Sequence, residues 1–504
     1  MSGKVWLVGA GPGDRGLMTL RGQEALLQAE VVVYDALVGD GVLSMIPSGA
    51  ELIYVGKRSS HHAMDQAGIN RVLLEQALAG KRVVRLKGGD PFLFGRGGEE
   101  LELLAAHGVP FEVVPGVTSA FAVPAYNGIP VTHRDYCASV HVITGHRRAG
   151  QKLDIDFGAL ARTGGTLVFL MGVAALPDIT GGLRAAGMPG DTPAAVLEKG
   201  ATAHQRRISG TLETLEAEAR RAKVQTPAII VVGRVCALAE RFAWREALPL
   251  GGVKVIVTRP RERVSGLADM LRREGAEVVE LPAIRTARVE DAAPIHRAIA
   301  RLEAGGFDWV VFTSPTGVQV FMEMLIEQAD LRALAGTKLA VIGEGSRKAL
   351  RQYGLRADFM PTVYDGETLG RELRAVCRPG ERILIPRAAI GNRALIRELG
   401  DGLEITDLPT YDTFYEKTPA LDAAALLNAG DVDFCVFTSA STVRGFAAGA
   451  AGADLTKVTA ICIGKQTAAE AEKLGMKIRI SERATLEALV ACVRDAAAEK
   501  MDNG

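Results

Sequence analysis

The chain has 504 residues; its 59 basic and 59 acidic side chains cancel to a formal charge of zero, 48% of the residues are hydrophobic and 23% are charged. At roughly 100–200 residues per domain this length predicts three or four compact units, and the composition excludes a disordered, collagen-like or coiled-coil architecture. The neutral balance argues against a general nucleic-acid binder, which would be strongly basic, and no apolar stretch approaches the roughly 18–20 residues needed to span a bilayer.

Short β-branched runs alternate with Ala/Leu/Arg/Glu-rich helical stretches along the whole chain. Strands are predicted at 5–8, 31–34, 83–87, 140–144, 167–170 and 229–232, and again at 254–258, 309–313, 339–342, 382–385, 434–438 and 460–463. Continuous apolar runs of this kind read as buried parallel strands with helical crossovers, so the expected fold class is α/β. One break stands out at Leu248-Pro249-Leu250-Gly251-Gly252, just before a new strand. Pro and Gly at such a junction mark a linker, placed at 246–252 between units 1–245 and 253–497. Met1 to Trp6 leads into an apolar strand without the serial regions of a signal peptide, so the expected location is cytoplasmic. The cysteines, Cys137, Cys236, Cys377, Cys435, Cys462 and Cys492, form no CxxC pair and read as small apolar residues. With no HExxH among the histidines, no metal site is expected.

Four glycine- and hydroxyl-rich turns follow strands in the first half. The first, Gly9-Ala10-Gly11-Pro12-Gly13-Asp14, is not a dinucleotide fingerprint, because GxGxxG would need glycine at Asp14 and Pro12 lacks an N–H for a phosphate. Its glycines could equally make a tight turn. The others are Lys87-Gly88-Gly89-Asp90-Pro91-Phe92-Leu93-Phe94-Gly95-Arg96-Gly97-Gly98-Glu99-Glu100, Pro115-Gly116-Val117-Thr118-Ser119-Ala120, and Pro130-Val131-Thr132-His133-Arg134-Asp135-Tyr136.

In this order the four turns resemble the tetrapyrrole methyltransferases, the uroporphyrinogen-III C-methyltransferase branch in particular, over about residues 3–245. Arg15 departs from the family, which often has proline there, and reads as a surface-loop change. The resemblance implies two α/β subdomains, about 1–135 and 136–245, with S-adenosylmethionine as cofactor in the cleft between them. It assigns Pro12, Gly88, Gly89, Asp90, Leu93, Thr118 and Ser119 to the cofactor site, with Met171, Gly200 and Ala228 from the second subdomain. Met171 could instead fill a core. It further implies Asp35 as proton acceptor and Lys57 as proton donor; as charged residues at strand ends, both could equally be solvated caps. Arg96 and Glu99 match substrate-side positions of that active site. His133, Arg134, Arg147 and Arg148 are cations able to meet substrate carboxylates, or simply surface charges.

The second half contains a repeat. Phe312-Thr313-Ser314-Pro315-Thr316-Gly317-Val318 recurs as Phe437-Thr438-Ser439-Ala440-Ser441-Thr442-Val443, and Val341-Ile342-Gly343-Glu344 recurs as Cys462-Ile463-Gly464-Lys465. Two similar lobes with ligand-facing strand ends follow. With Thr258-Arg259-Pro260 and Pro386-Arg387, these motifs resemble uroporphyrinogen-III synthase over about residues 252–497. The resemblance implies one lobe from about 253–285 with 413–497, and the other from 286–412. It also implies a linear tetrapyrrole, hydroxymethylbilane, as substrate. Thr258, Arg259, Thr313, Ser314, Arg387, Ser439, Ser441, Lys465 and Thr467 are the cleft candidates; strand-end capping is their alternative role. No tyrosine follows the second repeat turn, where Gly445 stands, so a tyrosine acid is not expected there.

The product of the second half would be the substrate of the first, and the dimethylated product, precorrin-2, feeds sirohaem and cobalamin. The implied partners are small tetrapyrroles, with no nucleic acid or membrane, and the resemblance is compatible with a homodimer through the methyltransferase half. Two rivals stand beside this reading: a methyltransferase for a different precorrin, against which Thr132-His133-Arg134-Asp135-Tyr136 and Gly95-Arg96-Gly97-Gly98-Glu99-Glu100 argue, and a second half that senses a tetrapyrrole or another anion without converting it.

Overall fold

The computed structural model describes residues 3–56, 64–146, 153–258, 265–391 and 393–502. Four five-stranded sheets account for the strands. The first contains β1 (Lys4–Gly9), β2 (Val31–Tyr34), β3 (Glu51–Tyr54), β4 (Arg82–Lys87) and β5 (Phe111–Val114) in the order β3-β2-β4-β1-β5, all parallel. Every residue of β2 is buried, as the uninterrupted Val-Val-Val-Tyr run requires of a strand covered on both faces.

The second sheet contains β6 (Val140–Thr144), β7 (Thr166–Leu170), β8 (Pro193–Glu198), β9 (Arg206–Thr211) and β10 (Ala228–Val232), ordered β6-β7-β10-β8-β9. Here the parallel expectation needs correction: β6 and β7 are parallel, but β10 runs antiparallel to both neighbours and β8 antiparallel to β9. Burial on both faces makes a strand apolar whichever way it runs, so an apolar run does not reveal its direction.

β11 (Lys254–Val257) and β12 (Glu277–Glu280) begin the third sheet. The chain then builds the fourth from β13 (Ile284–Arg288), β14 (Trp309–Phe312), β15 (Lys338–Val341), β16 (Arg382–Ala388) and β17 (Glu404–Tyr415). It returns to the third with β18 (Phe434–Phe437), β19 (Thr459–Cys462) and β20 (Lys477–Ile480). The third sheet, β12-β11-β18-β19-β20, is parallel throughout; the fourth, β13-β17-β16-β14-β15, is parallel except where β13 meets β17, with Ile284 opposite Tyr415. The repeat is visible as chemistry. Ser314 and Ser439 each cap the helix after the strand, and the ring pairs Phe312–Phe321 and Phe437–Phe446 lie 5.9 and 5.3 Å apart.

Segment 246–252 is packed rather than loose. Leu250 is fully buried and its N–H donates to Glu274 O at 2.8 Å, while Glu246 pairs with Arg207 at 2.8 Å. One apolar cluster runs continuously from Val38, Val42, Leu43, Met45 and Ile46 of the first half to Val279, Leu281, Ala283 and Leu421 of the second. Among the described residues, no helix is long and apolar enough to cross a membrane.

Candidate active sites

The carboxyl ends of β1, β4 and β5 meet at a point where three backbones touch. Gly11 and Gly89 exchange backbone hydrogen bonds of 3.2 and 2.7 Å. A Cβ on Gly9 would lie 2.5 Å from Gly116 Cα and 2.6 Å from Gly89 O, so only glycine permits this approach. Gly89 has φ +67° and open space where its Cβ would point, with Ser119 N the nearest atom at 3.8 Å. Asp90 fastens the junction: its Oδ2 accepts from Gly116 N at 3.0 Å and its Oδ1 from Phe92 N at 2.8 Å. Thr118 caps the helix Ser119–Tyr126, accepting from Ala120 N. Pro12, Gly88, Gly89, Asp90, Thr118 and Ser119 thus lie on three converging turns.

The second sheet closes on this junction. Leu93 packs with Ala120 and Val123 against Val168, Leu170, Leu197 and Ile229. Met171 directly follows β7, 51% exposed at φ +56°. A Cβ at Gly200 would overlap Val123, and its loop is tied by Gln205, which donates to Tyr126 O at 3.0 Å. Five of the six non-glycine residues with positive φ among the described residues are Phe94, Arg96, Met171, Lys199 and Ala201, all on these turns. Each such conformation costs about 1–3 kcal/mol. Ala228, by contrast, is buried in the second-sheet core with Phe169 and Ile230.

Asp35, at the end of β2, is not a solvated cap. Its Oδ2 accepts from Arg85 Nη2 at 3.1 Å, and its Oδ1 accepts from Leu37 N at 3.1 Å. Arg85 Nε reaches Glu100 Oε1 at 3.2 Å, and Lys87 Nζ reaches the same oxygen at 2.7 Å. Arg85, Lys87 and Glu100 are all buried, and burial together with the Arg85 charge pushes the Lys87 ammonium below its ordinary value. Sequence reasoning missed this network, although Arg85 and Lys87, two cations within the buried part of Arg-Val-Val-Arg-Leu-Lys, were a signal for it.

Arg96 pairs with Glu99 at 3.2 Å, both well exposed at the rim. Exposed Leu37, Phe92, Phe94 and Met171 on the neighbouring turns add apolar surface. His133 is half-buried, its Nδ1 accepting from Asp135 N, and Arg134 is exposed. Lys57, Arg147, Arg148 and Arg259 lie outside the described residues.

In the second half the candidates divide. Arg387 is buried with its fork closed on Asp407 at 2.5 and 2.7 Å, Thr258 donates to Val436 O at 2.9 Å, and Thr467 is buried in its helix. These three are committed to structure. Thr313, Ser314, Ser439, Ser441 and Lys465 remain at strand ends, with the Ser439 and Ser441 hydroxyls 2.9 Å apart. A phenol that sequence reasoning missed comes from β17: Tyr411 OH lies 3.0 Å from Ser314 Oγ.

Residues 4–216 match the tetrapyrrole (corrin/porphyrin) methylases, and residues 265–491 match uroporphyrinogen-III synthase HemD. The porphyrin biosynthesis protein HemD of Ruminiclostridium josui is 44% identical over 490 residues, 97% of each chain. Siroheme synthase 2 of Yersinia pestis bv. Antiqua (strain Nepal516) is 51% identical over 243 residues, 48% of this chain and 51% of that protein, so the match spans about half of that relative. Uroporphyrin-III C-methyl transferase from Thermus thermophilus, solved with S-adenyl homocysteine, is 42% identical over 46% of this chain and 93% of its own, with a TM-score of 0.40. Because the Ruminiclostridium protein is matched along almost its entire length, the chain belongs to the family of that porphyrin biosynthesis protein, and it joins a tetrapyrrole methylase to a uroporphyrinogen-III synthase.

Proposed function

We propose that the second half closes hydroxymethylbilane to uroporphyrinogen III, with loss of water and inversion of the last ring. The first half then methylates that product twice, using S-adenosylmethionine, to give precorrin-2. The observation that carries this reading is the glycine-only junction of Gly9, Gly89 and Gly116 beside Asp35, ringed by strained turns from both subdomains. The cradle fits such a cofactor: Gly89 presents backbone to open space, and Leu93 and Met171 supply apolar walls. When bound, S-adenosylmethionine supplies a methyl group activated on a sulfonium centre.

The chain's own work is alignment and proton handling. Gly88, Gly89, Thr118 and Ser119 hold one side of the cofactor, and Met171 and Gly200 the other. Asp35 takes the proton that the methylated ring releases from its bridging carbon, its carboxylate kept in one orientation by Arg85 and Leu37 N–H. Lys57, outside the described residues, is the proton donor by its place in the family motif. Arg96, His133 and Arg134 meet the substrate's acetates and propionates. In the second half, Ser314, Ser439, Ser441 and Lys465 bind carboxylates, and the Tyr411 phenol beside Ser314 is the proton donor for the departing hydroxyl.

Anaerobic incubation of the whole protein with hydroxymethylbilane and S-adenosylmethionine, followed by isomer and mass analysis, tests the reading. The expected product is a type III macrocycle carrying two added methyl groups. Type I product alone would remove the synthase assignment, and unmethylated type III product the methyltransferase assignment.

A further inference from the structure

Each of the three turns that carry Pro12, Asp35 and Gly200 ends on a charged contact with the synthase half. Arg15, directly after the first turn, forms an ion pair with Glu280 at the end of β12, and Glu280 is also held by Arg272 at 2.6 Å. Burial opposes the Glu280 charge, but the two guanidinium groups hold its carboxyl below the usual range. Asp40, five residues beyond Asp35, lies 2.7 Å from Lys254 Nζ at the start of β11. In the third turn Ala203 N donates to Glu277 Oε2 at 2.6 Å, and His204 Nε2 lies 2.6 Å from Asp431 Oδ1.

These anchors are one cluster. Lys254, only 4% exposed, touches Asp40 and Asp431 at 2.7 Å and Glu277 at 3.4 Å. A single ammonium of the synthase half thereby ties the Asp35 turn to both carboxylates that hold the Gly200 turn. The turns also bear on one another. A Cβ at Gly39 would lie 2.5 Å from Gly13 O, and one at Gly13 would lie 3.2 Å from Thr202 Cγ2. A shift at any anchor is therefore felt by all three.

We infer that Lys254, Glu277, Glu280 and Asp431 of the synthase half are positioning residues for the methyltransferase site, holding in register the three turns that bind cofactor and carry Asp35. A joint serving only to connect two domains would have no reason to grip the three separate segments that form a cleft. The inference rests on the proposed cofactor reading. Three of its four anchors, Lys254, Glu277 and Asp431, lie at or just before the amino ends of β11, β12 and β18, away from the strand ends that carry the synthase candidates, and Glu280 closes β12.

The test uses the full chain and two sets of variants. Arg15→Met, Glu280→Gln and the double variant form one cycle; Glu277→Leu and Lys254→Met probe the cluster. Calorimetry with S-adenosylhomocysteine, the KM for S-adenosylmethionine against kcat, type III isomer formation and thermal unfolding are read on the same preparations. The expected result is a cofactor Kd and KM raised about fivefold or more in each single variant, with type III formation retained. The Arg15/Glu280 double variant should be no worse than either single change, since the same link is broken in all three. Lower melting temperatures with cofactor Kd unchanged in every variant, or strictly additive losses in the cycle, would overturn the inference. Failure of the unmodified protein to bind the cofactor would instead overturn the cofactor reading, and this inference with it. Should Lys254→Met not fold, the Arg15/Glu280 cycle and Glu277→Leu decide the matter alone.

Discussion

Asp35 Oδ2 lies 3.1 Å from Nη2 of Arg85, and that guanidinium, 3% exposed, is held from its other side by the fully buried Glu100. The Asp35 carboxylate, directly after β2, is thus the outer end of a buried chain of alternating charges, closed by Lys87 on Glu100. Such a chain confines Asp35 to one orientation and keeps each buried charge compensated.

Asp35→Asn keeps the volume of the side chain and removes the proposed base. Methylation in single turnover should slow by about 10²–10⁴-fold with cofactor affinity nearly unchanged. A wild-type single-turnover rate would show that Asp35 does not take the proton.

Arg85→Met should act differently, because it leaves Glu100 buried with less compensation. Breaking a buried pair from one side costs about 3–5 kcal/mol, readable as a lower denaturant midpoint. Arg85→Lys, which keeps the charge but not the fork joining Asp35 to Glu100, should recover much of the stability and little of the kcat.

Gly116→Ala tests the meeting of the three turns. A Cβ there would overlap Gly89 O and Gly9 Cα and force the turn after β5 away from those after β1 and β4. Cofactor affinity should fall by at least about tenfold, with type III formation by the second half unaffected, as isothermal calorimetry and isomer analysis would read. Gly89→Val, placed at φ +67°, should abolish cofactor binding through backbone strain and blockage of the open space.

For the synthase half, Tyr411→Phe should lower type III formation by about tenfold or more, as expected for loss of a proton donor. Ser439→Ala, which removes a helix cap of about 1 kcal/mol, should lower it only partially. Equal, small effects for both would assign the cleft's action to enclosure of a flexible substrate alone.

The joint between the halves should respond to pH. The contact with Asp431 raises the His204 pKa, against burial and the Lys254 charge, with Glu277 adding to the rise. Burial of Asp431 is outweighed by His204 and Lys254, which hold it at about 2, so it stays ionised near neutrality. A histidine with a raised folded pKa contributes its full stabilisation below its unfolded value of about 6.5 and loses it as pH rises through the folded value. The melting temperature of the wild type relative to His204→Gln should therefore decrease as pH is raised from about 6 upward past the folded value. A pH-independent difference would show that the contact carries no net ionic stabilisation.

Much of this protein is legible in one dimension. Val31–Tyr34 reads as a strand because its three β-branched residues and a tyrosine favour a pleated backbone, and a run without polar residues suits a strand covered on both faces. Ser314 and Ser439 start helices because a hydroxyl at that position satisfies a free backbone N–H, and the repeated motif made the two lobes visible. The glycine turns were recognisable because close backbone approach requires the absence of a side chain at fixed spacing. Tertiary structure decided what depends on partners distant in the chain. The direction of β10 follows from connections and not from its residues. Arg387 reads as a ligand cation until Asp407 is found on the adjacent strand, and Tyr411 gains meaning only opposite Ser314. Arg15 reads as a loop substitution until Glu280, in the other half, is found against it. Burial of an apolar run and the capping of a helix are local demands, written in neighbouring residues. The role of a charge is set by which opposite charge shares its burial, and folding alone brings those two together.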